Sequence, residues 1–355
     1  MKNTPSKGDG TRLPGATVNR TEQDIRVVAP AKVNLILKVL DRRPDGYHNI
    51  WSLMHTVGLE DELRFRLSPR STGVRLHCDD AALPTDGRNL VSQAASLVLE
   101  RAGLPADRAM GLEIRLTKRI PVSAGLAGGS SDAAATIAGL NRLLGLGWSP
   151  EEMARVGQAV GSDVPFFFFA PSALVRGRGE EVAPVTFTGE RWVVLVHPGF
   201  PIETRWAYER LASTRQAVPP LSPTLRGVAG RTSFSWDDVV PLMENDFEEA
   251  LAQTHRVLRE IKEELLSAGA EAALLSGSGA TVFGVFRDKA SAGRARASVG
   301  RASGRRAYAV HTGAASFQAE AHSSPASPSL AGRLTRNPPF RYAPLSGQSF
   351  DSRRS

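Results

Sequence analysis

The chain has 355 residues, of which 41% are hydrophobic, 6% aromatic and 23% charged, with a formal net charge of +8. The excess charge sits at one end: residues 287–314 hold seven basic side chains against one acid, residues 315–355 hold five arginines against two acids, and the rest is close to neutral. These figures exclude wholesale disorder, collagen-like repetition and an apolar run long enough to span a membrane, and the single Cys78 excludes an internal disulfide or a cysteine-rich zinc site.

Residues 1–24 are polar and aperiodic and read as a disordered leader with no secretory pattern, so a cytoplasmic setting is expected. A Leu- and β-branched-rich strand is expected at 33–40, with a turn at Pro44-Asp45-Gly46, and half-buried strands at 63–67 and 74–77. Asn89 suits the N-cap of a helix reaching Ala102. A strand at 112–116 leads through a Gly/Ser loop into a helix over 131–144, where Ala133, Ile137, Leu140 and Leu144 step by four, three and four. Ser149-Pro150-Glu151-Glu152 starts another helix, with a cap, a first-position proline and acids in the first turn. Further on, the pattern gives strands at 192–197, 272–275, 281–286 and 307–311, a mostly helical stretch over 242–266 and a basic helix over 289–302. Residues 218–223 are a Pro-rich loop, and the Ser/Pro-rich end of the chain reads as disordered. Strands and helices interleave without a βαβ repeat, which favours α+β over a doubly wound sheet.

The most informative segment is P-V-S-A-G-L-A-G-G-S-S-D (121–132). Its glycines permit positive φ and close backbone approach, and it opens onto a helix whose N-terminal N–H groups and dipole suit an anion. No lysine follows Gly128 or Gly129, so it is not a Walker A loop, and the G-x-G-x-x-G pattern is absent. Most Gly/Ser turns that cap helices bind nothing. Taken singly, Lys32 reads as a strand-end lysine and Asp163 as a turn residue.

Together the segments resemble the GHMP kinases, which phosphorylate small-molecule hydroxyls with ATP. P-x-x-x-G-L-A-G-G-S-S resembles that family's phosphate loop, and L-S-G-S-G-A-T (275–281) resembles its third motif. A-P-A-K-V-N-L (29–35), R-P-D-G-Y-H (43–48), K-R-I-P (118–121), G-S-D-V-P-F-F (161–167), H-P-G (197–199) and N-D-F-E (245–248) follow in order. They resemble one branch of the family, whose acceptor is a cytidine diphosphate-linked methylerythritol of non-mevalonate isoprenoid synthesis. The resemblance covers about residues 25–312.

It implies an α+β fold of two domains with a cleft between them: an ATP-binding domain like ribosomal protein S5 domain 2 over 25–185, and a ferredoxin-like domain over 186–314. A basic tail over 315–355 lies outside it. It implies Asp163 as the catalytic aspartate, accepting or orienting the hydroxyl proton, and Lys32 as the catalytic lysine, holding Asp163 ionised and stabilising phosphoryl charge. Pro121, Val122, Ser123, Ala124, Gly125, Leu126, Ala127, Gly128, Gly129, Ser130 and Ser131 would hold ATP, with Asn89 and Lys118 near its adenine. Mg²⁺ would arrive with ATP, near Ser130, with no metal fixed by side chains. Asn34, Tyr47, His48, Thr204 and Tyr208 would contact the acceptor, Tyr47 and His48 gripping the cytosine ring and Tyr208 offering a second aromatic platform. Asn34 also falls beside Lys32 on one face if the strand alternates.

Two departures from the family pattern stand out. Ala127 replaces a common glycine and is tolerable if its φ is negative. Asp132 replaces Asn, which suits the helix dipole but would repel phosphate if turned inward.

Rival acceptors are homoserine, mevalonate or a sugar. A nucleic-acid-binding role for the basic end is disfavoured, because the basic residues beyond 286 are interspersed mainly with Ala, Ser and Pro. Monomer and homodimer both remain open.

Overall fold

Strand β1 (Asp24–Arg42) contains the apolar run expected at 33–40 and extends it towards the N-terminus. The computed structural model describes residues 24–104, 110–313, 317, 320 and 321, so the leader and nearly all of the basic tail lie outside the described residues. β1 is followed by β2 (His48–Thr72), β3 (Val74–Cys78), α1 (Leu90–Arg101), β4 (Met110–Thr117), α2 (Gly128–Leu144), α3 (Pro150–Gln158), a 3₁₀ turn (Pro165–Phe168), β5 (Ser172–Gly177) and β6 (Glu181–Pro184). The second half runs β7 (Thr186–Thr188), β8 (Trp192–His197), α4 (Thr204–Thr214), α5 (Pro223–Val228), β9 (Ser233–Ser235), α6 (Trp236–Val239), β10 (Glu244–Asn245), α7 (Phe247–Ala252), α8 (Arg256–Ser267), β11 (Ala272–Leu275), β12 (Val282–Phe286), α9 (Lys289–Val299), β13 (Arg306–His311) and β14 (Glu320–Ala321).

An eight-stranded sheet has the order β10-β1-β2-β4-β3, with β14 on β1, β5 on β2 and β6 on β5; a four-stranded antiparallel sheet has the order β11-β12-β8-β13. Helix α2 lies very close to the large sheet because its packed face is built from small residues. A methyl group at Gly139 would sit 2.6 Å from the Phe65 ring.

The caps at Asn89 and Ser149 form as their sequences suggest, the second as a full capping box with Glu152. Other elements differ from expectation. Helix α2 starts at Gly128, so Gly128, Gly129 and Ser130 are its first turn rather than the loop before it. The mostly helical stretch expected over 242–266 consists of two helices, α7 and α8, preceded by the short strand β10. Asn245 and Asp246 stand before α7 and bond elsewhere: the Asn245 amide donates to the Leu275 and Gly277 carbonyls, and an Asp246 oxygen accepts from Val39 N and Arg215. Of the tail, the Phe317 ring lies tilted against Phe168 with centroids 5.7 Å apart, and β14 pairs with β1.

Two register shifts between β1 and β2 accompany reversals in the facing of the β1 side chains. Pairing with β2 shifts register between Pro30 and Ala31 and again between Asn34 and Ile36. Ile25, Val27 and Ala29 belong to the core beneath α1 and α2; beyond the first shift Ala31, Val33 and Leu35 face the opposite core; beyond the second, Leu37 and Val39 return. A one-residue slip reverses every side chain of a strand. The segment between the two shifts turns Lys32 and Asn34 to the α2 side, where a regular continuation of 25–29 would point them away.

His55 is buried on the opposite face, against Phe187 and Trp236, with Nδ1 2.6 Å from Ser172 Oγ. Burial drives its pKa down from 6.5 to about 3. The folded state keeps it neutral while the unfolded chain takes a proton below about pH 6.5, so this contribution to stability is complete above that pH and lost on acidification. The expected loss is about 2 kcal/mol between pH 7 and pH 5. Thermal unfolding of the wild type and of His55→Gln across that range tests it: the variant should show a flatter slope, and equal slopes would refute the assignment.

Candidate active site

The glycine loop of residues 121–131 is held by the glycine segment between β11 and β12. Thr281 N donates to Ala124 O at 3.1 Å, and Ser276 Oγ donates to Gly125 O at 2.9 Å. Gly125 has φ +76°, and a Cβ there would lie 2.0 Å from Ser276 O, so only glycine lets the two backbones meet. Asn245 fixes the second segment from behind through its bonds to the Leu275 and Gly277 carbonyls.

Pro121, Val122, Ser123, Ala124, Gly125, Ala127, Gly128, Gly129 and Ser130 line a cleft of about 1110 Å³. Leu126 and Ser131 do not. Leu126 is buried and contributes its carbonyl to Lys32 N at 3.1 Å, while the Ser131 hydroxyl is buried without a partner. Ala127 does not meet the condition of negative φ: its φ is +54°. Its methyl group therefore stands in left-handed backbone where glycine is easier by about 1 kcal/mol.

Lys32 reaches the cleft from β1. Its ammonium donates to Asn34 Oδ1 at 2.6 Å and Gly125 O at 3.3 Å, and lies 3.7 Å from Asp163 Oδ2. Three acceptors from three separate elements thus surround its three N–H groups. Burial pushes the Lys32 ammonium below its usual pKa, and Asp163 opposes the shift. Asn34 sits beside Lys32 as expected and is anchored through its amide to Ser52 Oγ at 2.9 Å, which donates to Ile36 O. Asp163 stands in the short turn between α3 and the 3₁₀ turn, pinned by the buried neighbours Val164, Phe166 and Phe167. The run 166–170, of strand length in sequence, is mostly this 3₁₀ turn.

At one end of the cleft lie Asn89 and Lys118, both with prior commitments. Asn89 caps α1 through Oδ1 and donates through Nδ2 to Pro84 O at 2.8 Å. Lys118 Nζ lies between Asp61 and Asp132, 2.7 Å from Asp132 Oδ2. Burial works against its charge, but the two carboxylates prevail and raise its pKa. Asp132 lines the cleft, yet its carboxylate is paired with Lys118 rather than left facing phosphate. Asp61 carries no local signal in sequence. It is fully buried and accepts from Lys118 and from the backbone of Arg119 and Ile120.

At the other end, Tyr47, His48, Thr204 and Tyr208 all line the cleft. The His48 and Tyr208 rings stack directly at 5.0 Å and 21°, too close to admit a third ring between them. Burial, then Arg42 and Arg215, hold the His48 pKa below its ordinary value, so its imidazole is neutral near pH 7 and has one donor and one acceptor. Burial and the nearby Asp163 charge raise that of the Tyr208 phenol. Tyr47 is 55% exposed. Thr204 Oγ1 accepts from Ser278 Oγ at 3.1 Å, tying the first turn of α4 to the glycine segment.

Among the described residues no helix is long and apolar enough to cross a membrane, and no group of three or more His, Cys, Asp or Glu is placed to hold a metal ion.

The glycine loop opening onto α2 and the Lys32–Asp163 pair share one cleft, an arrangement that matches a GHMP-class small-molecule kinase. The model of the GHMP kinases N terminal domain matches residues 89–170, and that of the GHMP kinases C terminal region matches residues 232–305. The chain belongs to the 4-diphosphocytidyl-2-C-methyl-D-erythritol kinase family. It is 40% identical over 288 residues to that kinase from Citrifermentans bemidjiense, covering 81% of this chain and 99% of the relative. It is 41% identical over 287 residues to that of Syntrophotalea carbinolica, covering 80% and 97%. A crystal structure of 4-(cytidine 5'-diphospho)-2C-methyl-D-erythritol kinase superposes with a TM-score of 0.67 at 32% identity, covering 81% of this chain and 99% of that one. The homoserine kinase of Cytophaga hutchinsonii, at 22% identity and a TM-score of 0.64, shares the fold.

Proposed function

We propose that this chain transfers the γ-phosphoryl group of ATP to the 2-hydroxyl of 4-diphosphocytidyl-2-C-methyl-D-erythritol, giving the 2-phosphate and ADP, in non-mevalonate isoprenoid precursor synthesis in the cytoplasm. The observation that carries this reading is the continuity of the cleft. Asn89, Lys118, most of the 121–130 loop, Lys32, Asp163, Tyr47 and His48 all line one cleft. Membership of the family supports it.

In this reading the ATP-binding domain spans residues 25–185 and the second domain 186–314, with β10 crossing back to pair with β1. The loop lining the cleft cradles the phosphates with backbone N–H groups, and Asn89 and Lys118 border the adenine. Mg²⁺ fits this site as a substrate-borne ion: the loop offers a hydroxyl at Ser130 and backbone groups, not a carboxylate cage, and bound there the ion neutralises charge on the β- and γ-phosphates.

Asp163 takes the proton of the acceptor hydroxyl. Lys32, anchored by Asn34 and Gly125 O, faces both Asp163 and the space next to the loop where phosphoryl charge develops. Asn34 and Thr204 contact the sugar-derived chain, while Tyr47 and the neutral His48 recognise the pyrimidine, with Tyr208 backing His48.

ATP consumption measured with the cytidyl substrate and with homoserine, mevalonate and sugars tests the reading. Turnover of the cytidyl compound alone is expected. Turnover of another alcohol with none of the cytidyl compound would overturn it.

A further inference from the structure

Arg178 has no role in the scheme so far, although it lines the cleft. It stands in the tip that joins β5 to β6. Its guanidinium carbon lies over the Tyr47 ring, 4.5 Å from the centroid, and Nη1 is 3.5 Å from Asp45 Oδ2. Asp45 in turn accepts from Tyr47 N at 3.1 Å and pairs with Arg43 Nε at 3.4 Å. One face of Tyr47 is therefore held by a planar cation fixed to the same turn, while 55% of the residue stays exposed.

The same tip touches the catalytic segment. Gly179 has φ +127°, and a Cβ there would lie 2.4 Å from Ser162 O. Ser162 immediately precedes Asp163. The tip is braced from within, since Glu180 accepts from Arg178 N and lies 3.9 Å from Arg43 Nη1. A single rigid turn thus spans from the backbone beside Asp163 to the aromatic ring at the far end of the cleft.

We infer that Arg178 is a positioning residue that sets acceptor specificity: it clamps one face of Tyr47 so that the other is presented to the pyrimidine at a fixed distance from Asp163. This rests on the proposed acceptor. A guanidinium suits the task because it stacks flat on an aromatic ring and keeps donors free at its edge, which a lysine ammonium does not. A free Tyr47 would have to be ordered by the substrate itself, at a cost in affinity.

The test uses the full chain with saturating ATP. Wild-type turnover of the cytidyl substrate comes first, and its absence would defeat both the proposed function and this inference. Given turnover, Arg178→Ala should raise KM for that substrate about tenfold, with kcat and the KM for ATP within about twofold. Cytidine, which lacks the diphosphate, should lose potency as a competitive inhibitor by the same factor. Tyr47→Ala should raise KM similarly, and the double variant no further. Arg178→Lys should restore only part of the loss. The inference is overturned, with the function intact, if KM is unchanged, if the two substitutions add, or if cytidine inhibition is unaffected while KM rises. That last result would mean that Arg178 reads the diphosphate directly.

Discussion

Asp163→Asn and Lys32→Met should each lower kcat by about a thousandfold while leaving the KM for ATP and for the acceptor within a few-fold. The two side chains lie 3.7 Å apart at the mouth of the phosphate loop, and neither is placed to contribute much to ground-state binding of nucleotide or pyrimidine. They should behave as a unit, so the double variant should be scarcely slower than the worse single one.

Methionine is the informative replacement for Lys32 because it keeps the stem and removes the charge. The lysine is buried, and burial pulls its pKa down, so its charge works against folding. Lys32→Met should therefore unfold at the same temperature as the wild type or higher. Loss of kcat with stability retained assigns Lys32 to phosphoryl transfer. Near-normal turnover in both variants would refute the roles of the pair, and loss of turnover that tracks loss of fold would refute a catalytic role for Lys32 separate from folding.

The second large effect is expected at Gly125. A methyl group there meets Ser276 O at 2.0 Å and Gly279 O at 2.9 Å, both backbone atoms with little freedom to retreat. Gly125→Ala must push the loop off the glycine segment. It thereby weakens the bonds from Ser276 Oγ and Lys32 to the Gly125 carbonyl and from Thr281 N to Ala124 O. We expect at least a tenfold rise in the KM for ATP, a fall in kcat because Lys32 loses an anchor, and a stability loss of about 3 kcal/mol.

Gly145 supplies the control. It also has positive φ, +65°, at the C-terminal end of α2, but nothing lies within 4 Å of its Cβ position. Gly145→Ala should cost about 1 kcal/mol of backbone strain and leave the kinetics unchanged. Calorimetric ATP titration with thermal unfolding of the two variants separates close approach from φ alone. Equal behaviour of both would show that the contact with Ser276 is immaterial.

Much of the site was legible because its signals are local. Asn89 and Ser149 announce their caps within four residues, and the glycines of 125–129 mark a loop opening a helix whether or not the rest of the chain is known. Other features had no local signal. Asp61 is one of three successive acids, between Glu60 and Glu62, until Lys118 and Asp132 are folded against it. Arg178 is one arginine among many until the β5–β6 tip reaches Tyr47. Ala127 gives no hint in sequence of its positive φ, which is imposed by the loop around it.

The sequence by itself determined the kind of residues that could do this chemistry and their order along the chain: a lysine in a strand, a glycine loop before a helix, an aspartate in a turn, a Tyr-His pair after a turn. Composition, capping and glycine placement act over a few residues, so they survive without the fold. Only the tertiary structure decided which way those residues face. Two register shifts between β1 and β2 bracket the segment that turns Lys32 and Asn34 towards α2, and Asn245 holds the 275–281 segment from 30 and 32 residues away. A strand's face reverses with a one-residue slip, and a backbone contact such as Gly125 to Ser276 spans 151 positions, so neither can be read from neighbours in the chain.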